Sequence, residues 1–90
     1  MIAMVDYSTA LALLEQITSD RTVPKNIRKA CEDSKTILKS SDKPEELKIS
    51  TAVHILDEVT NDPNMPLYTR TQIWNIVSIL EQARRELKQS

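Results

Sequence analysis

This sequence predicts an all-α fold, a four-helix bundle made of two repeated helical hairpins. Three observations carry that prediction. The 90 residues contain no glycine, so the Asn-Gly and Asp-Gly turns that close tight β-hairpins are absent, and β-branched or aromatic runs are missing too. Apolar residues recur at i, i+3/i+4 and i+7, the period of a helix with one buried face. The chain also resembles itself. Shifted by 42 residues, Ser8–Ser40 overlies Ser50–Gln82 without a gap, with ten of 33 positions identical. One domain, residues 1–90, is therefore expected, with repeat units of about 1–41 and 42–90.

The first helix carries its apolar stripe at Ala10, Leu13, Leu14 and Ile17, and the third repeats it at Ala52, Val53, Leu56 and Val59. The repeat places the start of the first helix near residues 3–5, with Asp6 as the competing local cap. Thr22 and Asn64 stand as paired caps for the second and fourth helices, with Pro24 and Pro66 just inside. The second helix is apolar at Ile27, Ala30, Cys31 and Leu38. Its counterpart is apolar at Ile73, Ile76, Val77, Leu80, Ala83 and Leu87. Asp42 reads as the cap of the third helix, with Pro44 in its first turn and Glu45 three residues on. That helix runs to about Thr60, where Asn61, Asp62 and Pro63 end it. A single hairpin cannot cover both of its stripes; two packed together can.

Composition excludes several functions. Without glycine there is neither a Rossmann fingerprint nor a Walker loop, since both bring backbone close to phosphate. The aromatics are Tyr7, Tyr68 and Trp74 alone, so Leu, Ile, Val and Ala must build the core. The single cysteine cannot form an intrachain disulfide, which fits a reducing cytoplasm. The opening MIAMV is too short for a signal-peptide core, and no apolar run approaches the length of a membrane span. Net charge is −1, which gives no overall pull toward nucleic acid. No cofactor and no membrane partner are expected.

The charges nevertheless sort by helix. Residues 1–21 sum to −2, 22–41 to +3, 42–62 to −4 and 63–90 to +2. The plain meaning is pairing across the bundle surface, worth little per pair. The sharper one is a basic face on the second helix, Lys25, Arg28, Lys29, Lys35 and Lys39, that touches phosphate. Glu32 and Asp33 interrupt that face, and no aromatic interleaves it for base stacking.

Other candidate sites are weighed against structural roles. His54 lies off the apolar stripe with Asp57 and Glu58 one turn on, an exposed pair rather than the three convergent ligands a metal needs. Cys31 overlies Ile73 in the repeat and so belongs to the core, without the basic neighbour of a nucleophile. Asp20 with Arg28, and Asp62 with Arg70, recur eight residues apart across each loop. Their duplication suits a clasp, the arginine folding back to hold the turn, better than an ionic site. Trp74 overlies Glu32, a surface residue, and stands beside the core centre with Arg70 and Ser78 one turn away. It either seals the core edge or anchors a partner. Leu67, which overlies Lys25, is a second place where the copies differ. Trp74, Arg70 and Leu67 form the candidate interaction surface.

The stretch Ile55–Glu81, ILDEVTNDPNMPLYTRTQIWNIVSILE, together with TVPKNIRKACEDSK at Thr22–Lys35, resembles the archaeal uncharacterised protein family UPF0147 over nearly the whole chain. The NDPNMP loop and the IWN segment are its most specific parts. The resemblance implies archaeal cytosolic origin and a compact four-helix bundle, bromodomain-like in arrangement. It implies no catalytic residue and no acetyl-lysine site, since fold does not give function. The expected function is a small non-catalytic interaction or structural module, with an unidentified protein or a second copy as partner. The alternative is an RNA- or ribosome-associated accessory protein using the basic face. An enzyme is not expected, because no nucleophile, base and orienting group assemble.

Overall fold

A computed structural model describes residues 6–89. Among them are four helices and no strand: α1 (Ser8–Thr18), α2 (Lys25–Lys39), α3 (Glu45–Val59) and α4 (Leu67–Gln89). Each helix packs on its neighbours in sequence, α1 closes against α4, and the diagonal pairs do not approach. Short connections at 19–24, 40–44 and 60–66 make successive helices antiparallel. One end of the molecule therefore gathers the loops 19–24 and 60–66; the other gathers the start of α1, the loop 40–44 and the end of α4. The body measures 43 × 20 × 19 Å, its length set by the 23-residue α4.

The core is aliphatic, as the scarcity of aromatics requires. Ala10, Leu14 and Ile17 of α1 meet Ile27, Cys31 and Leu38 of α2, Ile49, Ala52 and Leu56 of α3, and Ile73, Ile76 and Leu80 of α4, all buried. Positions related by the 42-residue shift are buried together: Ala10 and Ala52, Leu14 and Leu56, Cys31 and Ile73, Leu38 and Leu80, and in the loops Val23 and Met65. Polar residues fill two core positions. Ser34 returns its hydroxyl to the Ala30 carbonyl at 2.9 Å, and Thr69 stands where α2 has Ile27.

The helix starts correct the expected caps. Pro24 and Pro44 themselves occupy the N-cap positions of α2 and α3, with ψ of 149° and 148°, and neither helix has a side-chain cap. Proline sets φ for the turn, and its carbonyl accepts the first helical bonds, from Arg28 N and Lys48 N at 3.1 Å each. Thr22 stands two residues before the cap position, where it donates its N–H (2.9 Å) and its hydroxyl (2.6 Å) to the Asp20 carboxylate in an Asx turn. Asn64 gives its N–H to Asp62 in the same way, at 2.8 Å. Asp42 makes no cap to α3. The expected start of α1 near residues 3–5 lies outside the described residues. Asp6 and Tyr7 precede the helix, which begins at Ser8, whose N–H donates to the Asp6 carboxylate at 2.9 Å.

Candidate functional site

The two loops at one end are built alike. Asp20 N donates to the Ile17 carbonyl and Asp62 N to that of Val59, both at 3.1 Å; Val23 N reaches Asp20 O and Met65 N reaches Asp62 O, both at 3.2 Å. Each loop is then held from the following helix by its arginine. Arg28 Nε donates to Val23 O at 3.1 Å, while Arg70 donates to Thr60 O and, at 3.4 Å, to Asp62 O. The arginines thus bond carbonyls, and the aspartates shape the turns. Thr22, through its hydroxyl and then its N–H, holds the Asp20 carboxyl below its usual range; Asn64 N–H and then Asn26 do the same for Asp62. The Asn26 amide also bonds the Asp62 carboxylate directly, tying one loop to the other. Arg70, expected in the candidate interaction surface, thus has its guanidinium bonded to two loop carbonyls.

The opposite end holds a feature the sequence analysis missed. The Lys48 ammonium is buried, with 7% of the side chain exposed, 2.7 Å from a Glu45 carboxylate oxygen and 2.9 Å from the Ser40 carbonyl, and 5.2 Å over the Tyr7 ring. The Tyr7 hydroxyl donates to the other Glu45 oxygen at 2.8 Å. One residue cluster therefore pins the start of α1, the end of α2 and the start of α3. Burial, then the Glu45 hydrogen bond and charge, pushes the Tyr7 hydroxyl far above its ordinary pKa. Burial alone would raise Glu45, but the bonds from Lys48 and Tyr7 and the Lys48 charge bring it below the usual carboxylate range. The available signal was the helical period, which sets Lys48 in line with Ala52 and Leu56.

The basic face of α2 is largely dispersed. Arg28 is in its loop. Lys35, 12% exposed, bonds Glu15 across on α1 and lies 3.7 Å from Glu32. Lys29 pairs with Asp33 at 3.5 Å. Lys25 and Lys39 remain exposed to solvent. An open groove of about 320 Å³ runs past Lys25, Arg28 and Lys29, but Glu32 and Asp33 line it as well. The result is a face of mixed sign.

On α4 three large apolar side chains point outward. Leu67 is 77% exposed, Tyr68 72% and Trp74 57%. At 100° per residue all three lie within about 70° of the direction opposite the buried stripe Ile73–Ile76–Leu80. Trp74 does not seal the core edge; it stands on the outer surface between Thr71 and Ser78, both exposed. Tyr68 was missed by the sequence analysis, although its repeat counterpart Asn26 is polar and exposed, the same signal that marked Trp74.

The other candidates take structural places. His54 is exposed with Nε2 3.0 Å from Glu58. Cys31 is buried, and burial pushes its thiol up to about 12, so it is a thiol and not a thiolate at neutral pH. Among the described residues no three His, Cys, Asp or Glu converge to hold a metal ion, and no helix is long and apolar enough to cross a membrane.

Fold and surface together define a small all-helical, four-helix protein with arginine-held loops and an outward apolar face. Within that class, the chain belongs to the uncharacterised protein family UPF0147, whose family model matches residues 5–83. It is 55% identical to the UPF0147 protein MJ1419 of Methanocaldococcus jannaschii over 73 residues, covering 80% of this chain and 77% of that one. It is 41% identical to the UPF0147 protein of Thermoplasma volcanium over 75 residues, covering 83% and 84%. A crystal structure of a UPF0147 protein from Thermoplasma acidophilum superposes with a TM-score of 0.82 at 39% identity, over 86% of this chain and 91% of that chain. A second, of the unknown-function protein MMP1188, gives 0.80 at 44% identity over 82% and 84%. These relatives bear out the family resemblance read from the sequence and the archaeal distribution it implied.

Proposed function

We propose that this chain is a non-catalytic, cytoplasmic interaction module whose working surface is the outward face of α4, with Trp74 and Leu67 as anchors. The observation that carries the proposal is the exposure of Leu67, Tyr68 and Trp74 on one helix of a protein whose other aromatic, Tyr7, is buried. Trp and Tyr are among the residue types enriched in binding hot spots. The matching loop hydrogen bonds support reading the chain as two copies of one hairpin, and the bromodomain-like arrangement of helices is what the family resemblance implies. Under that reading the arginine clasps are scaffold common to both copies, and function belongs where the copies differ. Trp74 against Glu32 and Leu67 against Lys25 are such places. The RNA-binding alternative has less support, because Arg28, Lys29 and Lys35 of the basic face already have protein partners.

The test is affinity capture of the tagged chain from a lysate of its own organism, with Trp74→Ala beside it and with nuclease treatment. The expected result is a partner retained by the parent chain and lost by Trp74→Ala, at unchanged melting temperature and without effect of nuclease. Equal capture by both forms would refute the proposal. Partners lost on nuclease treatment and kept by Trp74→Ala would favour the RNA alternative.

A further inference from the structure

We propose that the groove between the end of α1 and the first turns of α2 is a second binding site, which takes the C-terminal lysine of a polypeptide chain. The ligand's carboxylate lies against Lys25, Arg28 and Lys29, and its side-chain ammonium against Glu32 and Asp33. The site is separate from the outward face of α4 and does not rest on it. The first observation is the order of charge. Thr18 and these five charged residues of α2 line an open groove of about 320 Å³, a volume at the lower end of small-ligand sites that holds one or two residues and not a helix. The three cations lie toward the loop, and the two carboxylates follow about one helical turn further along. A ligand with one charge of each sign, joined by a short aliphatic chain, matches that order; the reverse orientation sets like charges together. Lysine at a chain end has this form, because its four-carbon stem joins the ammonium to the carbon that bears the carboxylate. An internal lysine lacks the carboxylate.

The second observation is the state of the charged groups. Arg28 Nε donates to the Val23 carbonyl at 3.1 Å, which orients the guanidinium and leaves its Nη groups without a hydrogen bond among the described residues. Such a held planar edge suits a carboxylate. Lys25 is exposed. Glu32 and Asp33 are each more than half exposed, and their pairs with Lys35 and Lys29 are loose, at 3.7 and 3.5 Å, so each keeps an oxygen for an incoming ammonium. The third observation is what the hairpin does not require. Forty-two residues on, Thr18 and Arg28 recur as Thr60 and Arg70, but Lys25, Lys29, Glu32 and Asp33 give way to Leu67, Thr71, Trp74 and Asn75. Arg70 bonds its loop carbonyls without those charges around it. The arginine clasp therefore accounts for Arg28 and leaves the four charges around it free for another role.

Titration of the ¹⁵N-labelled chain with a short acetylated peptide ending in lysine, followed by amide chemical shifts, tests this directly. Saturable shifts should appear over residues 25–33, with a Kd on the order of 1 mM, as exposed charge contacts in an open groove supply. Added salt should weaken the binding. Replacing the terminal lysine by norleucine should weaken it roughly two- to fivefold. Amidating the C-terminus should weaken it further, since that removes the charge facing three cations. Free lysine should bind less tightly than the peptide, because its α-ammonium would stand among the same cations; tighter binding overturns the assignment to a chain end. Glu32→Gln with Asp33→Asn, both at exposed positions, should keep the spectrum of a folded chain and erase the preference for lysine over norleucine. Lys25→Glu with Lys29→Glu should abolish the shifts. Trp74→Ala should leave them unchanged, so the outcome is independent of the α4 face. Absence of saturable shifts at 25–33 up to tens of millimolar peptide, or equal affinity for the lysine, norleucine and amidated peptides, overturns the proposal.

Discussion

Replacing Lys48 with alanine should cost about 3 kcal/mol of folding stability, the order expected when one partner of a buried ion pair is removed. For a 90-residue domain this lowers Tm by roughly 12–24 °C. The cause is the arrangement at the end of the bundle where three segments converge. The Lys48 ammonium satisfies a Glu45 oxygen at 2.7 Å and the Ser40 carbonyl at 2.9 Å, and covers the face of Tyr7. Without it, the Ser40 carbonyl loses its bond from Lys48, and Glu45 keeps its carboxylate bond to Tyr7 but loses its cation. Lys48→Met should cost less than Lys48→Ala, since the aliphatic stem stays packed. Equal, small losses in both variants would show that the ammonium contributes little.

The same cluster gives a sign for pH dependence. The folded-state pKa of Glu45 is depressed, so its contribution is present above the ordinary carboxylate pKa and is lost as pH falls through the lower folded value. Asp20 and Asp62 are depressed too and act in the same direction. Chemical denaturation at a series of acid pH values should show stability falling with pH, and the fall should be shallower in Glu45→Gln.

Arg70→Ala should be the second most damaging polar substitution, at about 2 kcal/mol, or roughly 8–16 °C in Tm. Its guanidinium bonds two loop carbonyls, Thr60 and Asp62, whereas Arg28 bonds one, Val23. Hydrogen bonds from a charged donor are the stronger kind, and removing the donor leaves partly buried carbonyls without it. Arg28→Ala should therefore cost about half as much. Thermal melts of the two variants side by side settle the order. A larger loss for Arg28→Ala would contradict this description of the clasps.

Much of this fold was legible because period and punctuation agree. Ala10, Leu14, Leu56 and Leu80 are buried where the helical period puts them, and Pro24, Pro44 and Pro66 mark three helix starts to within a residue. The caps were misassigned for a local reason. Thr22 and Asn64 have the residue type of an N-cap, but the helices start only after Pro24 and Pro66, two residues on, and the N–H groups of Thr22 and Asn64 donate to Asp20 and Asp62 in the preceding turns. The Tyr7–Glu45–Lys48 cluster was missed because it depends on tertiary approach. Tyr7 and Glu45 are 38 residues apart, and the 42-residue repeat maps Lys48 onto Asp6 and Tyr7 onto Ile49, so no duplicate draws notice to them. On the candidate surfaces, charge counting over-rated α2. It registers five cations, but not that Arg28 and Lys35 fold onto carbonyl and carboxylate partners. Comparing the repeats found Trp74 and Leu67, because a large apolar residue replacing a charged one at a surface position is visible without coordinates.

The central claim is that Trp74 is held outside the core for contact. As the chain's single tryptophan, it reports on itself. The decisive measurement is its fluorescence, with iodide quenching, in dilute purified protein and again in the associated or captured state. The emission of the dilute chain should resemble that of free indole in water and be readily quenched, as 57% exposure requires. In the complex it should shift to the blue and gain protection. A blue-shifted, protected Trp74 in the dilute monomer, unchanged on association, would contradict the claim and return the indole to the edge of the core.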